Sequence, residues 1–301
     1  QRPDLDDVYN TVNQPINSSQ SIVGNPGLDP EETISYEVGL RQQFTTNTML
    51  SFTGFFKDID NLTQIGRVED NKGNVFRTYL NDTYGTVRGI EVVLNQRTGR
   101  HLSGEASYTY QVATTTHSTA RGTYNNENAF ANLPGKEYPA DWDQRHTFTL
   151  NIDYHFGDNE GPSFLGIQPL ENWNLNVLHT SKSGMPYTPT AANGSDILTE
   201  INTKRTPAVH STDLRMRKYF NFYGDTRLGV ILDVFNIFDR KNVRPIDEYA
   251  ISVDRYRDRI GYTNATPPTR MKNYGGFANA IADPFAWEIG RRIRLGFSVE
   301  F

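Results

Sequence analysis

The stretch RRIRLGFSVEF, residues 291–301, alternates without a break. Ile293, Leu295, Phe297, Val299 and Phe301 are apolar, and Arg292, Arg294, Gly296, Ser298 and Glu300 between them are not. Side chains on a β-strand repeat every two residues, so this is a strand with two unlike faces. One face needs a dry surface and the other needs water. The identity of that dry surface decides the fold.

The same alternation recurs along the chain. Ile34, Tyr36, Val38 and Leu40 interleave with Ser35, Glu37, Gly39 and Arg41. Leu50, Phe52 and Phe56 follow, then Ile90, Val92 and Leu94, then Leu102 to Val112. The cleanest run is Phe148, Leu150, Ile152, Tyr154 and Phe156 against Thr147, Thr149, Asn151, Asp153 and His155. Trp173–Val177, Leu214–Met216, Leu228–Val234 and the last strand complete about nine strands by pattern, with no convincing amphipathic helix.

Bulk composition narrows the class. The chain has 301 residues, 36% hydrophobic and 12% aromatic, with a net charge of -5. Its mean hydropathy of -0.61 is polar for this size. So mild a charge gives no support to a nucleic-acid partner. No window approaches the roughly 18 apolar residues of a membrane helix. The absence of cysteine excludes disulfides and Cys-ligated metal, and it fits an oxidising compartment. Gln1 follows neither a methionine nor a signal segment, so the expectation is a processed N-terminus or the tail of a longer chain.

The connections carry the next step. Short ones near 45–47, 97–100 and 222–225 alternate with long ones near 63–75, 113–141, 185–209 and 240–285, and 157–172 is intermediate. Successive connections of an up-and-down sheet lie at opposite ends, so one end has turns and the other long loops. That is the layout of outer-membrane barrels, whose turns are periplasmic and whose loops are extracellular. Tyr36, Phe44, Tyr154, Phe156, Trp173, Trp287 and Phe301 sit where aromatic girdles belong. Glu37, Arg41, Glu91, Glu105, Asp153, Asp213, Arg215, Arg217, Asp233, Arg292 and Arg294 occupy the other face. A packed sandwich core would not accept so many ions, whereas a wet lumen would. The predicted fold is therefore all-β, an antiparallel up-and-down transmembrane barrel segment of about nine to ten strands. Residues 1–30 are expected to be an extracellular loop leading into it, and 31–301 the strands and their loops.

Several stretches then resemble a known family. NPGLDPEETISYEVGLRQQF (25–44), VRGIEVVLNQR (87–97), DWDQRHTFTLNIDYHF (141–156), SGMPYTP (183–189), LDVFNIFDRKNV (232–243) and the terminal RRIRLGFSVEF are similar to the C-terminal barrel half of TonB-dependent outer-membrane receptors. The flavour is that of receptors with a carboxypeptidase-regulatory-like N-terminal domain. The resemblance covers residues 22–301. It implies a 22-stranded barrel in the outer membrane of a Gram-negative-type envelope, a plug filling it, and a TonB box. It also implies energy-coupled uptake of a scarce bulky ligand such as a siderophore, cobalamin, glycan or peptide. Nine strands without plug or box read as the last part of such a barrel.

Candidate residues fall into three groups. Phe297, Val299 and Phe301 are an assembly signal for the barrel-assembly machinery; the plainer reading is an ordinary edge strand. Arg215, Arg217, Arg292 and Arg294, with Glu91 and Asp153, are candidates to face the lumen and a plug; the plainer reading is a solvated wall. Tyr124, Asn126 and Tyr138 in one loop and Tyr249, Tyr256 and Tyr274 in another suit adaptable ligand contacts, as tyrosine and asparagine do in other binding loops, or else surface packing. DNKGN (70–74) lacks the bidentate carboxylate of a calcium loop and reads as a tight turn.

No catalytic motif is present: no GxSxG, no Walker loop and no paired metal-binding histidines. No metal or cofactor is implied, and the reading is not that of an enzyme. Two other architectures remain open at this point. One is a self-contained barrel, either a porin-like channel or a ten-stranded protease using Asp141, Asp143 and His146. The other is a soluble β-sandwich binding protein.

Overall fold

A computed structural model describes residues 2, 8, 22–73, 75–97, 99–116, 136–187, 201–206, 208–221, 226–242 and 288–300. Its strands are β1 (Ile22–Val23), β2 (Glu32–Gln43), β3 (Thr48–Glu69), β4 (Val75–Gln96), β5 (Leu102–Thr115), β6 (Tyr138–Pro139), β7 (His146–Phe156), β8 (Trp173–Lys182), β9 (Pro186–Tyr187), β10 (Lys204–Arg205), β11 (Val209–Asn221), β12 (Arg227–Phe235) and β13 (Arg292–Glu300). Nine long strands lie side by side in the order β2-β3-β4-β5-β7-β8-β11-β12-β13. Each neighbouring pair is antiparallel and consecutive among the long strands, as an up-and-down meander requires. Among the described residues β2 and β13 are the two edges, so the sheet does not close on itself.

Register turns nine separate alternations into two continuous surfaces. Directly opposed residues point to the same face. One hydrogen-bonded row runs Leu40, Phe52, Val92, Tyr108, Phe148. A second runs Ile152, Val177, Leu214, Val234, Ile293, and a third runs Leu102, Tyr154, Leu175, Met216, Leu232, Leu295. Among the described residues no second layer covers this apolar surface: Val38 is 77% exposed and Phe297 68%. Among the described residues only Ile65, Tyr79, Ala113 and Ala140 are buried hydrophobics. A sheet in water could not keep so large a bare patch. The soluble-sandwich alternative is thereby set aside, since a sandwich needs an opposing sheet on its apolar face.

The apolar rows also drift. The row that starts at Leu50, Leu94, Ala106 and Leu150 leaves apolar chemistry at His179 and Thr212. Strands tilted by about 40° carry each perpendicular row obliquely across a membrane belt, so a row enters and leaves it within several strands. The register thus contains the stagger of a barrel wall.

Expectation and structure differ most at 63–75. That stretch was expected to be a loop, but β3 and β4 stay paired up to Glu69↔Val75, so the described tip is only 70–73. Gly73, with φ 81°, turns it, and Asp70 O accepts from Gly73 N at 3.0 Å. The hairpin continues because its residues have partners on one flank. β1 pairs in parallel with Arg77 and Thr78. The Asn25 side chain donates to Tyr79 O at 2.9 Å, and Asn81 exchanges hydrogen bonds with the backbone of Asp29 at 2.8 and 3.0 Å. Paired bulges mark where the hairpin leaves the regular sheet, with Asn61 at φ 60° and its carbonyl held by Asn81.

Candidate ligand-facing wall

The second face of the sheet is polar, and its register places charges in a line. One row runs Ser103, Asp153, Asn176, Arg215, Asp233, Arg294. Arg215 grips Asp233 with two hydrogen bonds, Nε to Oδ1 at 2.6 Å and a terminal nitrogen to Oδ2 at 3.2 Å. This two-pronged fit is the geometry in which arginine holds a carboxylate best. Arg294 stands opposite Asp233 on the far strand. Its guanidinium and that of Arg292 lie 5.3 and 5.1 Å from the ring centre of Phe235. That is cation–π range. The four arginines singled out in the sequence therefore share one face over three strands, organised by Asp233 and Phe235. Asp213, two residues from Arg215 on the same face, is a second acid, so two carboxylates stand against four arginines and the patch keeps a positive character.

Lower on the wall the chemistry is amide and carboxylate. Both Asp153 oxygens accept from the Asn174 side chain at 2.8 Å, and His155 Nδ1 lies 3.5 Å from Asp153. Asn95 donates to Glu105 at 3.0 Å. Glu91 lies between Thr53 and Thr109. A polar hollow of ≈ 580 Å³ opens there, lined by Asn95, Glu105, Asn151 and Asp153 among others. Two aromatics on this face lie across from glycine, Phe55 from Gly89 and Tyr219 from Gly229.

At the long-connection end the chain builds a closed node that no local pattern announces. Asp143 is fully buried. It accepts from Ala113 N at 2.9 Å, Arg145 Nε at 2.7 Å and Arg205 at 2.5 Å. Arg205 also holds Asp143 O and Gly184 O. Asp141 accepts from Asn202 at 2.5 Å. Gly184 is obligatory here, because a Cβ would fall 1.6 Å from Thr206 O. The node ties the segment after β8 to the base of the loop after β5. Of the residues considered for a protease, Asp143 is committed to arginines, while His146 pairs with the Tyr108 hydroxyl at 2.8 Å on the apolar face.

Tyr138 pairs with Thr115 in the β5–β6 bridge and is half-buried, so it supports the rim. Tyr124, Asn126, Tyr249, Tyr256, Tyr274, Trp287 and Phe301 lie outside the described residues. Phe297 and Val299 project from the edge strand β13 on the apolar face.

A bare apolar face, a polar face lined with ions and a barrel's stagger define a wall of an outer-membrane β-barrel. The profile "TonB dependent receptor-like, beta-barrel" matches residues 1–237, and the chain belongs to that family. A comparison with curated proteins finds no match. Among solved structures, the chain is similar to FpvA of Pseudomonas aeruginosa in complex with heterologous pyoverdines, at 13% identity over 90% of this chain and 27% of that one (TM-score 0.55). It is similar to the outer membrane transporter YddB from Escherichia coli, at 11% identity over 75% and 31% (TM-score 0.53). The FrpB iron transporter from Neisseria meningitidis matches at 14% identity over 92% and 32% (TM-score 0.51). At these identities the likeness is one of fold. The chain spans less than a third of the length of each of these structures.

Proposed function

We propose that this chain forms nine strands of a receptor barrel that takes up a scarce, bulky ligand across the outer membrane, driven through TonB. The similar structures are a transporter, an iron transporter and FpvA bound to an iron–pyoverdine complex, which supports a siderophore-like cargo ahead of cobalamin, glycan or peptide. The observation that carries the reading is the ionic inner row around Arg215, Asp233 and Arg294 behind a lipid-facing surface. Such a wall suits a plug domain contributed by another part of the protein, its acidic groups set against the arginines. The long connections are the extracellular side and the short ones the periplasmic side. On this assignment residues 1–30 lead in from outside, the loop tyrosines meet ligand, and Phe297, Val299 and Phe301 address the assembly machinery.

Uptake by whole cells tests it. Cells expressing the receptor are offered labelled ferric hydroxamate and catecholate siderophores, cobalamin and oligosaccharides. One of these should accumulate only in the presence of TonB. Accumulation that is unaffected by loss of TonB would indicate a passive, porin-like pore and refute the proposal.

A further inference from the structure

The connection 157–172, between β7 and β8, is longer than its neighbours 44–47 and 97–101 at the same end of the sheet. It ends in a sharp tip. Phe164 N donates to Ile167 O at 2.8 Å and Ile167 N to Phe164 O at 3.0 Å. Leu165 and Gly166 between them have φ 53° and 79°. This is a two-residue turn with both central residues left-handed, a place that favours Asn-Gly or Asp-Gly. Leucine holds the first position against that preference. It is also 87% exposed, with Phe164 at 71% and Ile167 at 68%. Turn chemistry does not call for this apolar tip, and the protein does not bury it.

The base of the connection shows where the tip hangs. Phe156 belongs to the apolar face, opposite Trp173. A methyl on Gly161 would lie 3.5 Å from the Phe156 ring and from Leu170. His101 packs on Phe156 with ring centres 4.8 Å apart and lies 3.7 Å from Glu160. Lys218, across from Trp173 on the same face, donates to Glu171 O. On the inner side Asp158 pins the base by accepting from Asn172 at 3.0 Å and Asn221 at 3.2 Å. The arms of the connection thus lean on the lower margin of the lipid-facing surface, beside the cations Arg100 and Lys218.

We propose that the tip Phe164–Ile167 is a membrane anchor that inserts into the headgroup and upper acyl region of the periplasmic leaflet, with Arg100 and Lys218 beside the phospholipid phosphates. The occupant is lipid because the tip continues a surface that already faces lipid. An apolar tip flanked by cations matches the chemistry of that boundary. The inference rests on the short-connection end being periplasmic, as assigned above.

These 301 residues hold no cysteine, so an introduced one is the sole label site among them, and the receptor without it is the labelling control. The receptor carrying Leu165→Cys is labelled with an environment-sensitive fluorophore. It is reconstituted in phosphatidylethanolamine–phosphatidylglycerol liposomes doped with lipids quenching near the headgroup or deep in the chains. Shallow lipid quencher should reduce the emission at least twofold more than aqueous iodide does. Ile152→Cys, on the apolar face, is the deep-lipid control. Lys72→Cys, at the β3–β4 tip, reads the side of the membrane through an impermeant maleimide on intact cells. Absence of Lys72→Cys labelling would reverse the assignment of sides and remove the periplasmic anchor with it. If Ile152→Cys answers lipid quencher while Leu165→Cys answers iodide alone, or neither, the tip meets water or protein and the proposal is overturned. Leu165→Asn suits the turn, so it keeps the connection folded. It should raise iodide access to a label at Ile167→Cys several-fold, and unchanged access would also overturn the anchor.

Discussion

Ile152→Arg probes the sidedness on which the barrel assignment rests. β7 has 11 residues. At about 3.4 Å per residue it is roughly 37 Å long, and a tilt of about 40° leaves a height of about 28 Å. That spans an apolar belt about 25 Å tall, and Ile152 sits one residue from the strand's centre, near the midplane. Its row neighbours Gly104 and Val177 offer no counter-charge. An arginine at that depth costs about 2–4 kcal/mol, or roughly 30- to 700-fold in the folding equilibrium. Asn151→Arg, one residue away, faces the lumen and gives up one 2.8 Å hydrogen bond from Asn176. That loss is about 1 kcal/mol. Both variants are unfolded with guanidinium from liposomes, and outer-membrane assembly is followed by the heat-dependent gel shift of folded barrels. A large deficit for Ile152→Arg with a small one for Asn151→Arg is expected. Equal deficits, or the reverse order, would refute the face assignment and the lipid contact together.

Other outcomes follow from single features. Asp143→Ala strips a buried acceptor from Ala113 N, Arg145 and Arg205. It should cost roughly 2–4 kcal/mol and open the 183–206 segment to protease while the strands stay intact. The Gly157 N–H, 2.9 Å from Glu160, together with His101 and Arg100, holds the Glu160 carboxyl below the ordinary 4.5 of glutamate. Its stabilising effect on the 157–172 connection is full above that value and fades as pH falls through the lowered one. A spin label at Leu165→Cys should therefore gain mobility only in acid below pH 4.5, and Glu160→Gln should remove the transition. Arg215→Ala leaves Asp233 facing Arg294 and breaks a partly exposed pair, so thermal stability should fall by no more than about 1 kcal/mol. Deletion of Phe301 should reduce membrane insertion more than expression, measured by the ratio of folded to total receptor in outer-membrane fractions.

The strands were legible because alternation is a local signal: Phe148 to Phe156 declares two faces without reference to any neighbour. Register is not local. That Asp153, Arg215, Asp233 and Arg294 fall on one row depends on hydrogen-bond pairing across five strands, which no spacing in the sequence encodes. The ends of β3 and β4 were missed for a related reason. NLTQIGRVED mixes polar and apolar residues because that part of the hairpin has left the membrane and packs on residues 22–29, so Gln64 and Arg77 are buried where a pattern reader expects a loop. The contact between Asp143 and Arg205 joins positions 62 apart, and neither segment carries a cue to the other. Apolar residues on the polar face, Phe55 and Ile231, break a strict two-colour reading because a lumen tolerates them where they lie across from glycine, Gly89 and Gly296.

The stagger has a consequence for anything moving through the lumen. Ser103 lies near the lower end of its strand and Arg294 near the upper end of its own, yet they belong to one row. Fixed charge on this wall is therefore laid along a ramp that rises as it goes round. The positions at which a charged group on this face would meet a counter-ion therefore change in azimuth as they change in height.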